Sequence, residues 1–214
     1  MINKDTKLFG SFSKKAGNTG CKTFNTAFKQ CNIDAIYRSF SVNDIKEAVQ
    51  AARCLNFSGF AISMPFKFEV VNYVDQATEE VHAIGAANTV INKNGILVAY
   101  NTDFLAVKDF LKNYNKELYI LGDGGYAAAV KYAVDFLNKK YTLITRSNWN
   151  TISLLKNKTV FNCTPVENIE VDSSNDFIDC LTTTETGKRL AFLQACKQFK
   201  LYTGLEYPLE YYSI

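Results

Sequence analysis

The segment Ala87–Asp103, with the sequence ANTVINKNGILVAYNTD, contains two apolar runs separated by Asn94 and Gly95. An Asn-Gly pair between two such runs is the strongest short-range signal for a β-hairpin, because both residues accept the left-handed backbone of a two-residue turn. If Asn94 and Gly95 are the two turn residues, the register of the hairpin pairs Lys93 with Ile96. The sequence therefore predicts an antiparallel hairpin, and the rest of the fold is built outward from it.

The same register predicts which polar side chains meet at the open end of the hairpin. Counting back from the turn places Asn88 opposite Asn101. Side chains alternate between the two faces of a strand, so Asp103 is expected to be the diagonal neighbour of Asn88 on one face. An amide and a carboxylate would then converge. The alternative is that Asn88 caps a strand end and that Asp103 caps the following helix.

A lysine follows another predicted strand. The apolar run GFAI at residues 59–62 predicts a buried strand, and the loop SMPFK follows at residues 63–67. Loops held at strand ends by a rigid sheet often carry catalytic groups, so Lys67 is a candidate to join the amide and the carboxylate. The alternative is a solvated lysine on the surface.

Strands and helices alternate through the first hundred residues. We predict a short strand at residues 7–10, then a loop whose Ser11 and Ser13 suit a polyol or carboxylate ligand, or form only a serine-rich turn. A second strand is predicted at residues 36–40, with Ser41 capping the next helix. Two helices are indicated by apolar spacing: Phe24, Ala27, Phe28 and Cys31, then Ile45, Val49, Ala52 and Leu55. This order predicts an α/β fold with a mainly parallel sheet.

A glycine-rich motif opens the second half of the chain. Apolar residues 118–121 predict a strand, the sequence GDGGYA follows at residues 122–127, and a helical apolar stripe comes next. In this context glycines are typical of dinucleotide binding, because they let the backbone approach a pyrophosphate at a helix N-terminus.

The next predicted strand, residues 141–144, bears on the choice of dinucleotide because Thr145 and Arg146 follow it. NAD-binding folds usually have an acidic residue there, whereas an arginine suits the 2′-phosphate of NADP. Arg146 therefore favours NADP over NAD, unless it is only a surface charge. A strand and loop at residues 159–165, a strand at residues 177–181 and a final helix complete the predicted elements. That helix buries Phe192, Ala195, Phe199 and Tyr202.

Composition argues against several classes of function. The 214 residues are 47% hydrophobic and 21% charged, and the net charge of +3 is too small to indicate nucleic acid or a membrane as partner. No apolar run approaches the roughly 20 residues that span a bilayer, and the polar N-terminus predicts no signal peptide. We expect neither partner, and a cytoplasmic location.

The cysteines and the histidine give no sign of a metal or nucleophilic centre. The six cysteines are scattered, without a Cys-x-x-Cys pair or histidines at metal-ligand spacing, so we expect buried thiols in a reducing compartment and no metal. The single histidine, His82, falls within a predicted helix and is expected to be structural or exposed.

Several linked motifs resemble those of the shikimate dehydrogenase family. Ser63–Lys67, Gly85–Val90 and Ala99–Asp103 follow that family's order and spacing. The run Ser11–Gly20 is similar to the corresponding run of the shikimate dehydrogenase-like subgroup. GDGGYA at residues 122–127 resembles the family's Gly-x-Gly-Gly-x-Ala motif.

The resemblance implies a two-domain α/β protein. Residues 1–104 would form a substrate-binding domain, and the terminal helix 187–214 would pack back on it. Residues 105–186 would form a trimmed Rossmann-like NADP-binding domain. The implied reaction is the reversible, NADP-dependent reduction of 3-dehydroshikimate to shikimate in the biosynthesis of chorismate and aromatic amino acids, or that of a related cyclic hydroxy acid. A monomer or homodimer is expected.

The resemblance also implies roles for individual residues. Lys67 would be the acid–base or electrostatic group, and Asp103 would hold it and share its proton. The implied substrate-binding residues are Ser11, Ser13, Ser63, Asn88 and Gln194. The implied cofactor-binding residues are Gly122, Gly124, Gly125, Ala127, Thr145, Arg146 and Gly187.

The chain departs from the family pattern at three places. Ala61 replaces the asparagine of the family's Asn-x-Thr, Arg146 lacks a second basic residue shortly after it, and residues 177–181 lead almost directly to Gly187. The last departure shortens the nucleotide domain. Two alternatives therefore stay open: a ligand-binding or regulatory relative without hydride transfer, and an NAD-preferring quinate/shikimate dehydrogenase.

Overall fold

The computed structural model describes residues 2–208. It contains two compact units: Met1–Thr102 with Ala195–Ile214, here called unit 1, and Asp103–Gln194, called unit 2. The predicted α/β class with two domains is confirmed. The first predicted domain boundary, after residue 104, lies a few residues from the end of the first segment of unit 1 at Thr102. The second, after residue 186, lies about two helical turns before the end of unit 2 at Gln194. Both boundaries stay a prediction.

Unit 1 is built on a six-stranded mixed sheet with the order β2-β1-β3-β5-β6-β4. The strands are β1 (Lys7–Ser13), β2 (Ala35–Ser41), β3 (Gly59–Ile62), β4 (Gln76–Ala77), β5 (Thr89–Lys93) and β6 (Ile96–Tyr100). The helices are α1 (Thr19–Gln30), α2 (Ile45–Cys54) and α3 (Glu79–Ile84), with a 3-10 helix over Glu69–Tyr73. Strand β1 pairs in parallel with β2 and β3, whereas β5 is antiparallel to both of its neighbours.

The predicted hairpin is confirmed. Strands β5 and β6 pair with Lys93 opposite Ile96, and the two turn residues Asn94 and Gly95 have φ of 55° and 93°. A two-residue turn forces its strands to be antiparallel, so the sheet is mixed. Three of its five strand pairs, including β4 with β6, are parallel.

Three local predictions for unit 1 are wrong. Strand β1 continues through Ser13 because it pairs along its whole length with β2, so Ser11 and Ser13 lie within the strand rather than on a loop. Asp44, not Ser41, caps α2, and its side chain accepts a backbone N–H of the first turn at 3.0 Å. Leu55 follows the end of α2 and is 65% exposed.

Unit 2 is built on a four-stranded parallel sheet with the order β10-β9-β7-β8. The strands are β7 (Leu118–Leu121), β8 (Tyr141–Ile144), β9 (Thr159–Asn162) and β10 (Asp176–Asp179). Its helices are α4 (Thr102–Leu111, from Asp103 onward), α5 (Gly125–Phe136) and the first half of α6 (Glu185–Thr203), with a 3-10 segment over Arg146–Leu154. The second half of α6, from Ala195, belongs to unit 1. The predicted order of strand, glycine turn and helix is confirmed at β7 and α5.

The sheet of unit 1 is covered on both faces by apolar side chains. One face packs with α2 through residues that include Phe12, Phe60 and Leu97. On the other face, Phe9 lies against Phe28 and Tyr202, with ring centroids 5.3 and 4.7 Å apart. Burying one such side chain is worth about 1.5–3 kcal/mol, so both faces stabilise the unit.

The buried face of α6 differs in part from the prediction. Phe199 and Tyr202 are buried as predicted, whereas Phe192 and Ala195 are only partly buried. Gln198, which no sequence argument selected, is 3% exposed. A polar side chain therefore occupies the interior side of this helix.

Other predictions concern isolated residues. Among residues 2–208 no helix is long and apolar enough to cross a membrane. The expectation of buried thiols is wrong for Cys54, which is exposed, whereas the other five cysteines are partly buried as whole residues. His82 is exposed near the end of α3.

Candidate functional site

The predicted substrate-binding residues of unit 1 lie at one edge of its sheet. Strands β1 and β3 end at this edge, and β5 begins there because it runs antiparallel to β3. Three backbone hydrogen bonds join the strand ends: Ser63 N–H to Phe12 O at 3.0 Å, Ile62 N–H to Asn88 O at 2.8 Å, and Ala87 N–H to Lys67 O at 2.8 Å. The structure therefore brings together Ser11, Ser13, Ser63, Lys67 and Asn88 at this edge.

These residues differ in exposure. Ser13 is 8% and Asn88 2% exposed, Ser11 and Lys67 are partly buried, and Ser63 is exposed. Burial is the main cause of a raised pKa at Tyr37, and the neighbouring Ser11 hydroxyl acts in the opposite direction. The edge thus combines hydroxyl groups, one amide and one ammonium group.

Asn88 is the most constrained side chain of the site. Its Oδ1 accepts the backbone N–H of Thr102 at 2.8 Å, the Thr102 hydroxyl at 3.1 Å and the Thr89 hydroxyl at 3.0 Å. Thr89 and Thr102 are both fully buried. A backbone N–H is only a donor, so this bond fixes which amide atom is the oxygen.

The amide nitrogen of Asn88 is consequently turned away from these donors. It makes no hydrogen bond to any residue between 2 and 208, although the side chain is 98% enclosed. The amide nitrogen is not one of the fully buried atoms that lack a partner, so it lies at the small accessible part of this residue, where a ligand can reach it. It is a donor for a hydroxyl or carboxylate oxygen.

The expected position of Asp103 as a diagonal strand neighbour is wrong. Strand β6 ends at Tyr100 and helix α4 begins at Thr102, so the alternation of a strand does not reach residue 103. Asp103 instead occupies the first turn of α4 in unit 2 and is 6% exposed. The first N–H of α4 is accepted by Asn88 from the other strand of the hairpin, so the cap of this helix is distant in sequence.

Sequence reasoning missed Gln198. Its Nε2 donates to Thr89 Oγ1 at 2.8 Å and to the backbone oxygen of Asn88 at 3.3 Å. The predicted residue Gln194 lies one turn earlier on α6, is partly buried and belongs to unit 2. Gln198 was detectable as a polar residue at helical spacing from Ala195 and Tyr202.

Unit 2 carries the predicted cofactor residues at the carboxyl edge of its own sheet. Gly122 follows β7 with φ of +93°, and a Cβ there would lie 2.5 Å from the Thr164 methyl group, so only glycine fits. No atom lies within 4 Å of a Cβ built on Gly124. Helix α5 begins at Gly125 without a side-chain cap, so its first N–H groups, including that of Ala127, are available to a pyrophosphate.

Charged and ionisable groups surround this glycine turn. Asp123 within it forms an ion pair with Lys131 of α5, which offsets the negative charge of the carboxylate. Burial, followed by the negative charge of Asp103, raises the pKa of Tyr126 well above its usual range. Burial and then the Cys180 thiol raise the pKa of Cys163 in the same way. Both groups are therefore neutral at pH 7, and neither is an activated nucleophile.

Arg146 is exposed at the start of the 3-10 segment that follows β8. The turn before it is fixed by Asn148, whose Oδ1 accepts the Thr145 N–H at 2.7 Å, and the Thr145 hydroxyl lies 3.0 Å from that of Ser147. A guanidinium and two hydroxyl groups thus follow the strand, which is a donor set that fits a phosphate.

Gly187 has a packing requirement of its own. A Cβ there would lie 1.9 Å from the backbone oxygen of Leu181, so α6 begins in direct contact with the end of β10. Its assignment to the cofactor stays a prediction. Among the described residues no group of three or more His, Cys, Asp or Glu side chains is placed to hold a metal ion.

Comparison with known proteins identifies the family. A family model described as the shikimate dehydrogenase substrate binding domain matches residues 19–90. A shikimate dehydrogenase (NADP(+)) from Clostridium perfringens (strain SM101 / Type A) is 31% identical over 220 aligned residues, which cover 95% of this chain and 80% of the relative. The chain belongs to the shikimate dehydrogenase family. The resemblance found in the sequence motifs is thereby confirmed.

Two further comparisons give the extent of the likeness within the shikimate dehydrogenase family. A shikimate dehydrogenase-like protein from Haemophilus influenzae is 37% identical over 134 residues, 61% of this chain and 49% of the relative. The chain thus spans about half the length of that relative. The solved structure of a shikimate 5-dehydrogenase-like protein has a TM-score of 0.85 at 26% identity and covers 98% of this chain and 96% of that one.

Proposed function

We propose that this chain is an NADP-dependent oxidoreductase that interconverts 3-dehydroshikimate and shikimate, or a closely related cyclic hydroxy acid, in the biosynthesis of chorismate and aromatic amino acids. The observation that carries the proposal is the amide of Asn88. It is enclosed, its oxygen is fixed by three donors, and its nitrogen is unpaired within residues 2–208. A member of this family with such a donor beside serines and a lysine is equipped to bind a polyhydroxylated carboxylate.

The substrate is held by hydrogen bonds and one charge. Asn88 Nδ2 and the hydroxyls of Ser11, Ser13 and Ser63 donate to its oxygens, and Gln194 is assigned to substrate on the family resemblance. Lys67 gives a proton to the reacting oxygen from its ammonium form during reduction and takes that proton back as the neutral amine during oxidation, as general acid–base catalysis requires. Asp103 is assigned, also on the resemblance, to the support of that charge.

The cofactor assignment is supported by the glycine turn and by Arg146. When bound, NADPH would supply the hydride for reduction and NADP+ would accept it for oxidation, while the protein provides binding and orientation. We assign the pyrophosphate to Gly122, Gly124, Gly125 and Ala127, and the 2′-phosphate to Thr145 and Arg146. Replacing Arg146 by Ala should raise KM for NADP by about tenfold while leaving KM for NAD unchanged, since only NADP carries the 2′-phosphate. Equal effects on both would assign Arg146 to the surface.

The test of the reaction uses purified protein with shikimate and NADP, followed by the absorbance of NADPH. Replacing Lys67 by Ala should abolish turnover without loss of folded structure by circular dichroism. The matched control is Lys46→Ala, an exposed lysine on α2, which should retain full activity. Absence of NADPH formation with shikimate, quinate and related polyols would overturn the proposed reaction.

A second candidate function is a ligand-binding or regulatory relative without hydride transfer. It is favoured by the direct contact of α6 with the end of β10 at Gly187 and Leu181, which leaves only residues 180–184 between these elements. Calorimetry separates the two functions. Binding of shikimate with no binding of NADP or NAD supports this candidate, and a preference for NAD supports a quinate-type dehydrogenase. A monomeric or homodimeric cytoplasmic protein stays a prediction.

A further inference from the structure

The hydrogen bonds around Asn88 form a chain that extends to the last helix. Gln198 on α6 is 110 residues from Asn88 in sequence, and the two residues are joined by Thr89. All of these residues belong to unit 1. Gln198, Asn88 and Thr89 are 3%, 2% and 0% exposed, so water does not compete for these bonds.

The direction of each bond in this chain is fixed. The backbone oxygen of Asn88 is only an acceptor, so the Gln198 atom 3.3 Å from it is the nitrogen. The same nitrogen donates to Thr89 Oγ1 at 2.8 Å. Because the Thr89 hydroxyl accepts this bond, its single proton is directed to Asn88 Oδ1 at 3.0 Å.

We infer that Gln198 is a positioning residue for the substrate site: through Thr89 it holds Asn88 with its oxygen turned inward and its amide nitrogen turned to the ligand. This role rests on the proposed function of Asn88. Without Gln198 the Thr89 hydroxyl is free to rotate, and the Asn88 amide loses one of the bonds that select its orientation. The substrate donor is thus set partly by a residue that follows the whole of unit 2 in sequence.

The test compares Gln198→Leu, which removes the donor at similar volume, with Tyr202→Phe on the next turn of α6. Tyr202 is the matched control because its buried hydroxyl has no hydrogen-bond partner among residues 2–208. In Gln198→Leu, KM for shikimate should rise about fivefold or more, the effect of one buried hydrogen bond, with KM for NADP unchanged. Tyr202→Phe should match the wild type in both constants. An unchanged KM for shikimate in Gln198→Leu overturns the inference.

A second measurement does not depend on activity. The Thr102 N–H donates to Asn88 Oδ1, so its hydrogen exchange, measured by NMR, reports the orientation of the amide. Exchange should accelerate in Gln198→Leu and not in Tyr202→Phe. If the wild type neither binds nor turns over shikimate, the proposed function fails while this measurement still decides the positioning role. Equal Thr102 exchange in all three proteins would refute that role.

Thr89→Val provides a second way to interrupt the same chain if Gln198→Leu does not fold. Valine has nearly the shape of threonine and lacks the hydroxyl that links Gln198 to Asn88. Its effects on KM and on Thr102 exchange should match those expected for Gln198→Leu. Where both variants fold, the double variant should be no worse than the more impaired single variant, because both remove one connection. Additive losses would contradict a shared chain.

Discussion

Replacing Asn88 by Ala or by Asp separates its two roles, as an acceptor for the protein and as a donor for a ligand. Ala removes the oxygen that holds Thr102 and Thr89. Asp keeps an oxygen for these donors but removes the amide N–H groups and adds a negative charge. We therefore expect Asn88→Ala to lose stability and activity together, and Asn88→Asp to lose activity alone.

The stability lost in Asn88→Ala depends on which acceptors remain for the donors that Asn88 Oδ1 now serves. The Thr102 N–H starts helix α4 and donates to Asn88 Oδ1, and a buried donor that loses its acceptor costs about 1–3 kcal/mol. The Thr89 and Thr102 hydroxyls lie 3.2 Å apart and can pair with each other, so their combined loss is only about 1 kcal/mol. The free energy of unfolding should therefore fall by about 2–4 kcal/mol.

Asn88→Asp is expected to weaken the interaction of this residue with the ligand. One neutral hydrogen bond is lost, worth about 0.5–1.5 kcal/mol, and the ligand oxygen then faces a carboxylate, which adds about 1–3 kcal/mol. Together these terms lower kcat/KM for shikimate by about 10–2000-fold.

Urea unfolding and steady-state kinetics measure the two effects. Circular dichroism follows both units, while the single tryptophan, Trp149, lies in unit 2 and provides an internal reference. Wild-type stability in Asn88→Ala would refute the acceptor role. Wild-type kcat/KM in Asn88→Asp would refute the assignment of its amide to substrate.

Two further predictions concern stability. Gly122→Ala should lower the free energy of unfolding of unit 2 by about 1–3 kcal/mol, because the new methyl group contacts Thr164 and the residue has a positive φ. Gly124→Ala is the control, since its methyl group contacts no atom and should cost less stability. Equal losses in the two variants would contradict the contact with Thr164. The hydrogen bond from Arg53 lowers the pKa of Asp75 in the folded state. This carboxylate therefore stabilises the folded state at pH values above its unfolded-state pKa of about 3.9. The contribution is lost as the pH falls through the lower folded-state pKa. Acid unfolding should therefore be less steep in Asp75→Asn than in the wild type, and the difference should shrink at high salt.

The parts of the fold that were predictable have their causes in neighbouring residues. Asn94 and Gly95 supply the backbone of the turn themselves, so the register of β5 and β6 followed from the sequence. Gly122 and the helix after it are likewise determined by local conformation. Where pairing decides the outcome, local signals were insufficient: β1 extends through Ser13 because β2 is available along its whole length.

The parts of the site that were missed depend on contacts between distant segments. Asp103 was assigned to a strand face because the residues beside it in sequence give no signal that a helix begins at Thr102. That helix is capped by Asn88, which lies on the other strand of the hairpin. Gln198 has its partners more than a hundred residues away. Its one local signal was a polar side chain at a buried helical position, which indicates that a partner exists but not which one.

The discontinuity of unit 1 has a consequence for how the chain folds during synthesis. Its sheet is complete in sequence by Tyr100, yet Phe9 and Phe28 receive their ring partners Tyr202 and Phe199 only when Ala195–Ile214 is made. Unit 2 is one uninterrupted segment that emerges from the ribosome before those residues. We expect nascent unit 2 to become protease-resistant before unit 1 does. A premature stop before Phe199 should leave unit 1, most of which is translated first, with an incomplete core.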